Sequence, residues 1–129
     1  MGRQPARAGN AVNYTPDVGD VVWLDFTPHA GHETAGRHAA VVLTPAAYSV
    51  ATGLALVVPV TTKAKGGTFE VTLRGARKVK GVALANEIRS IDYVARNADR
   101  FDTCPEEALD RIREIGEALL ARQEPAGSH

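Results

Sequence analysis

The stretch from Asp17 to Leu43, DVGDVVWLDFTPHAGHETAGRHAAVVL, constrains the fold more than any other part of the chain. Val21 to Phe26 alternates with the two-residue period of a half-buried strand, with Val22, Leu24 and Phe26 on one face and Trp23 and Asp25 on the other. Ala39 to Leu43 is a second short apolar run, closed by Thr44-Pro45. Between the two, Thr27 to His38 contains Pro28, Gly31, Gly36 and three of the four histidines, and offers almost nothing to bury. Its own packing does not fix such a loop, so it is expected to take its shape from a partner. A polar loop held between two strands is a common way to build a site, and function is expected here.

The 129 residues suffice for one domain with its own core, expected over residues 16–122 between a disordered arm at 1–15 and a polar tail at 123–129. Cys104 is the single cysteine, which excludes an internal disulfide and suits a reducing compartment. The longest apolar runs are strand-sized and the N-terminus is polar, so neither a membrane span nor a secretory signal is expected, and the cytoplasm is the expected location. Net charge is zero. Charge is nevertheless uneven: Thr61 to Arg100 has nine Lys/Arg against four Asp/Glu, and the segment after Pro105 has six acids against three bases. One basic face is therefore expected despite the zero net charge, which is what a phosphate-backbone ligand needs.

Along the chain, Thr44 reads as an N-cap with Pro45 opening a short helix to Thr52 and Gly53 stopping it. Leu54 to Val60 is a strand in which Pro59 argues for an edge or a bulge. Phe69 to Leu73 alternates, with Phe69, Val71 and Leu73 inward, and Gly81 to Ala85 and Arg89 to Ile91 are shorter strands. Arg74 to Lys80 is a basic turn. The last element is a helix opened by Pro105, Glu106 and Glu107, with Leu109, Ile112, Ile115, Gly116, Leu119 and Leu120 on one face and Glu107 paired with Arg111 on the other. Five or six short strands and a terminal helix predict a mainly β, α+β fold, a small barrel of strongly bent antiparallel strands.

His29, His32, Glu33 and His38 have the right donor atoms for zinc, but their spacing matches no common site, and no metal or cofactor is expected. No phosphate-cradling loop, dinucleotide fingerprint or nucleophile elbow is present. Cleavage of RNA by its own 2'-hydroxyl needs less: a proton acceptor, a proton donor and a cation for the phosphate oxygens. Arg37-His38 offers a cation beside the side chain that titrates near neutrality, and Thr61-Thr62 offers hydroxyls. The plainer alternative is a surface histidine at a strand end and threonines capping a turn.

The motifs GD-VVWLDF-TP at Gly19 to Pro28, GHETAG at Gly31 to Gly36, AVVLTPAAY at Ala40 to Tyr48, VPVTTKAKGGTFEVTL at Val58 to Leu73 and GVALANEIRSID at Gly81 to Asp92 together resemble the MazF/PemK family of toxin endoribonucleases, over Pro16 to about Leu120. The resemblance implies an SH3-like barrel, a homodimer, metal-independent cleavage of single-stranded RNA at short sequences with a 5'-hydroxyl product, and a cognate antitoxin whose acidic, disordered tail blocks the RNA groove. By the same resemblance Thr61 matches the family threonine implicated in cleavage and Glu33 lies in the loop signature. The catalytic expectation is therefore His38, Arg37 and Thr61. The RNA-contact expectation is His32, Glu33, Thr62, Lys63 and Lys65, then Arg77, Lys78 and Lys80, then Asn86, Glu87 and Arg89. The chain departs from the family in having His38-Ala39 where Arg-Pro is usual, and Asn86-Glu87 where an acid and Gln are frequent. Either Arg37 grips phosphate while His38 moves protons, or this member is weak or silent; a protein-binding poison like the CcdB relatives is the remaining alternative.

Overall fold

A computed structural model of the chain describes residues 14–25 and 36–122. The elements run β1 (Asp20–Asp25), β2 (Arg37–Val42), α1 (Ala46–Thr52), β3 (Leu54–Thr61), β4 (Glu70–Thr72), β5 (Val82–Leu84), β6 (Arg89–Asp92), β7 (Asp99–Thr103) and α2 (Glu106–Leu120). Every strand pair is antiparallel, in the order β4-β5-β3-β2-β1-β7, with β6 added beside β3. This is the mainly β, α+β arrangement expected, with one strand more. The addition is β7: Asp-Arg-Phe-Asp-Thr has a single apolar residue and no alternation, and it is a strand because β1 supplies its ladder. The terminal segments 1–13 and 123–129, and the loop residues His29, His32 and Glu33, lie outside the described residues.

Alternation along the strands makes two cores. Val21, Val41, Val58 and Ala83 meet Ile112 and Ile115 of α2 on one face, whereas Val22, Leu24, Ala40, Val57 and Ile91 pack together on the other. Pro105 caps α2 without a side-chain hydrogen bond. The helix is therefore held by burial, with Ile112 fully enclosed and contributing about 1.5–3 kcal/mol, rather than by its cap.

Several expectations are corrected. Leu119 and Leu120 are 49% and 80% exposed, because the sheet ends before the last turn of α2 and leaves Ala108, Ile112, Ile115 and Gly116 as the buried stripe. Arg111 forms its salt bridge with Glu114, at 3.0 Å. Phe69 sits in the turn before β4 and is partly exposed; only Val71 and Leu73 of that segment reach the core. Pro45 is the N-cap of α1, and the Thr44 hydroxyl instead accepts the Leu56 N–H at 3.1 Å. Pro59 lies in central β3, not at an edge. The Leu56 carbonyl accepts from Leu43 on the β2 side, so the odd-numbered residues of β3 direct their backbone groups the other way. Pro59 thus lacks its N–H where β3 changes partner, between its pairing with β6 and its pairing with β5.

The two ends of the sheet are tied through one carboxylate. Asp102 on β7 is 7% exposed and accepts the N–H groups of Lys78 at 2.6 Å and Val79 at 2.8 Å, from the loop that follows β4, and that of Thr103 at 2.8 Å. Burial opposes its ionisation, but the N–H groups of Val79, Lys78, Thr103 and Arg77 outweigh burial and hold its pKa below the ordinary carboxylate value. A depressed folded pKa contributes stability above the unfolded value of about 3.9, lost as pH falls through the folded value. Asp102→Ala is expected to cost about 2–4 kcal/mol in denaturant titration at pH 7, and less as the pH drops below about 4. An equal cost at pH 3 and pH 7 would mean that the charge is irrelevant.

Candidate active site

Neighbours on a strand point to opposite faces, and this separates Arg37 from His38. Arg37 pairs with Asp25 across the ladder, and His38 with Leu24. The Arg37 guanidinium donates to Asp25 at 2.6 Å, to the Asn97 carbonyl at 2.7 Å and to the Trp23 carbonyl at 3.3 Å. Asn97, at a positive φ of 53°, donates its amide back to Asp25 at 2.7 Å. Arg37 is thus committed to fastening the turn at residues 93–97 to the end of β1. The expectation of one shared Arg37-His38 site is not what β2 allows.

His38 is on the face of Leu24, Ala40 and Val57, half-buried over the second core. With Pro59, Arg89, Ser90 and Arg96 it lines a small cleft of about 60 Å³. Arg89 arrives on β6 opposite Val57. Arg96 arrives from the turn that Arg37 fastens: the Asp25 N–H donates to the Arg96 carbonyl at 2.9 Å, and the Arg96 guanidinium donates to the Asp25 carbonyl at 3.2 Å. Arg89 was among the expected contacts, whereas no local signal marks Arg96, whose position depends on a turn closing onto a strand some seventy residues earlier in the chain.

Thr61 ends β3, two residues beyond Pro59 of the His38 cleft. β2 pairs with β3 from Val42↔Val57 to Ala40↔Pro59, and Thr61 itself pairs with Val82 of β5. The Thr61 hydroxyl accepts the Lys63 N–H at 3.0 Å, which leaves its own proton to donate. Its carbonyl is closely packed: a Cβ on Gly81 would lie 2.2 Å from the Thr61 oxygen, and Gly81 has a φ of +106°. Only glycine meets both demands.

Thr62, Lys63 and Lys65 are exposed on the loop that leaves Thr61. Glu70 shapes this loop, accepting the N–H of Lys65 at 2.9 Å and that of Gly66 at 2.9 Å; the Lys65 N–H leads the causes that lower its pKa. Lys80 is exposed beside Gly81, and Asn86 and Glu87 are exposed in the turn after β5. Arg77 and Lys78 line a different cleft, beside β7 and the start of α2. Among the described residues no three His, Cys, Asp or Glu side chains come close enough to share a metal ion, and the rest of the His29, His32, Glu33 and His38 set lies outside them.

An imidazole and two guanidiniums lining one cleft of a small antiparallel sheet, with a hydroxyl at the end of a lining strand, form an arrangement suited to a phosphodiester: a proton carrier, a donor and cations for the oxygens. Residues 17–119 match the family described as PemK-like, MazF-like toxin of type II toxin-antitoxin system, and the chain belongs to that family. It is 47% identical over 100 residues to the endoribonuclease toxin MazF of Escherichia coli K12, covering 78% of this chain and 89% of that protein. It is 35% identical over 96 residues to the endoribonuclease PemK of Escherichia coli, covering 70% and 72%. A solved MazE-MazF structure from Deinococcus radiodurans superposes with a TM-score of 0.80 at 47% identity, over 86% of this chain and all of that one. No helix among the described residues is long and apolar enough to cross a membrane.

Proposed function

We propose that this chain is an endoribonuclease toxin that cuts single-stranded RNA through the substrate's own 2'-hydroxyl, acting in the cytoplasm as a homodimer held in check by a cognate antitoxin. The observation that carries the reading is that His38, Arg89 and Arg96 line one cleft, with Thr61 at the end of β3 two residues beyond Pro59 of that cleft. His38 accepts the 2'-hydroxyl proton as that oxygen attacks phosphorus. The P–O5' bond then breaks, and the imidazolium returns the proton to the leaving 5'-oxygen. Arg89 and Arg96 offset the charge that develops on the phosphate oxygens, and the Thr61 hydroxyl, aligned by the Lys63 N–H, donates to one of them. Lys63 and Lys65 hold the adjoining phosphates. The relatives named endoribonucleases support the chemistry, and the relative solved as a MazE-MazF complex supports the antitoxin.

The test is a labelled single-stranded RNA incubated with the pure protein in EDTA. Fragments ending in a 2',3'-cyclic phosphate and a 5'-hydroxyl are expected. Intact RNA would reject the reading, and intact RNA together with growth arrest on expression would favour a protein-binding poison.

A further inference from the structure

The chain has a second cluster of cations, and it does not line the His38 cleft. Residues 74–80 contain Arg74, Arg77, Lys78 and Lys80 and no acid. Asp102 fastens this loop to β7 through the N–H groups of Lys78 and Val79, and an open cleft of about 600 Å³ lies between them, lined by Arg77, Lys78, Arg100 and Phe101, with Glu106 at its rim. Not all of its charge is available. The Asp102 carboxylate is occupied by backbone N–H groups, and Arg100 donates to Thr103 at 2.6 Å and lies 3.4 Å from Asp20. Arg77 and Lys78 are exposed, and they outnumber the single rim acid.

One residue of the cleft, Phe101, belongs to an aromatic pair. Phe101 stacks on Trp23 with ring centroids 4.2 Å apart and planes 12° from parallel, and Trp23 is still 37% exposed. Trp23 pairs with Ala39, so it is on the opposite face of β1 from Leu24 and the His38 cleft. Cations for a backbone together with an aromatic face for a base are what single-stranded nucleic acid requires, and each stacked base contributes about 1–3 kcal/mol. An acidic peptide would use the cations equally well but has no need of the stacked rings.

We infer that this cleft is a second RNA subsite, which takes a single-stranded segment flanking the cleavage point, its phosphates on Arg77 and Lys78 and a base against the Trp23–Phe101 pair. The inference rests on the RNA-cleaving reading and extends it to the length of substrate the protein grips. The two regions are within reach of one strand: Lys78 is three residues from Gly81, a separation of at most about 10 Å, and Gly81 abuts the Thr61 carbonyl.

Trp23 is the only tryptophan and therefore reports on the subsite directly. The probe is a single-stranded DNA 12-mer, which lacks the attacking 2'-hydroxyl. Saturable quenching of Trp23 emission is expected. The double variant Arg77→Glu/Lys78→Glu should weaken binding at least tenfold and flatten the salt dependence of log K by about 1.4, the release expected for two single-strand phosphates. Phe101→Ala should remove the quenching while leaving the salt slope in place. With RNA, the ratio of kcat/KM for a 12-mer to that for a tetranucleotide should fall about tenfold in the double variant. Emission indifferent to DNA, a double variant that binds like the parent at every salt concentration, or quenching by a polyglutamate peptide but not by DNA would each overturn the subsite. Failure of the wild-type protein to cut any RNA would reject the nuclease reading instead, and the DNA titration would still decide the subsite.

Discussion

His38→Ala is expected to lower RNA cleavage by about 10²-fold to 10⁴-fold with the fold intact, the usual contribution of a positioned acid or base. His38 is half-buried at the edge of the second core, and truncating it opens the mouth of a small cleft without touching Val22, Val57 or Ile91 behind it. If His38 moves protons, the wild-type rate must also depend on pH through the ionisation of an imidazole, and the alanine variant must lack that dependence. A pH-independent wild-type rate would remove His38 from the chemistry.

His38→Arg separates a rewired site from a damaged one. Arg89 and Arg96 already supply guanidiniums to the His38 cleft, so phosphate binding there does not require a third. Arginine stays charged throughout the accessible range and shuttles protons poorly. The substitution should therefore lower turnover and abolish that pH dependence. A rise of orders of magnitude would instead identify His38 as the defect of a weakened member of the family.

The two β1–β2 strands were legible because alternation is a local property: each strand advertises its buried face in its own residues. The separation of Arg37 from His38 depends on where β2 begins. The apolar run starts at Ala39, which leaves both residues in a loop where they could act together, whereas pairing with β1 extends the strand back to Arg37 and turns them to opposite faces. Arg96 and Asp102 were illegible for a different reason. Each acts through partners far away in the chain, Asp25 for one and the Lys78–Val79 backbone for the other, and no spacing in the sequence encodes those contacts. Phe69 and Leu120 show the limit of hydrophobic periodicity. The pattern continues past the end of the surface it would pack on, and the outermost residues remain in water.

Gly81→Ala should be the most damaging small substitution near the site. Its Cβ would lie 2.2 Å from the Thr61 oxygen, 2.9 Å from the Thr61 carbonyl carbon and 3.1 Å from the Thr62 Cα, all of them backbone atoms with no rotamer to yield. The φ of +106° adds strain whatever space is made. Relief requires β3 to move away from the residue entering β5, at the last rungs of the ladder, Thr61↔Val82 and Val60↔Ala83, and it also strains the bond from the Leu73 N–H to the Gly81 carbonyl. A loss of about 3 kcal/mol or more is expected in denaturant titration. Because Thr61 must shift for the methyl to fit, kcat should fall about 10²-fold even where the protein remains folded, the effect of roughly 1 Å of misplacement at a reacting centre. Gly66→Ala is the matched control. It has a comparable positive φ of +77° on the Lys63–Lys65 loop but nothing within 4 Å of the new Cβ, so it carries the backbone strain without the collision. If the two variants lose the same stability and the same turnover, the collision is irrelevant and Thr61 is not held in place by Gly81; if only Gly81→Ala loses turnover, the position of the Thr61 backbone is part of the catalytic apparatus.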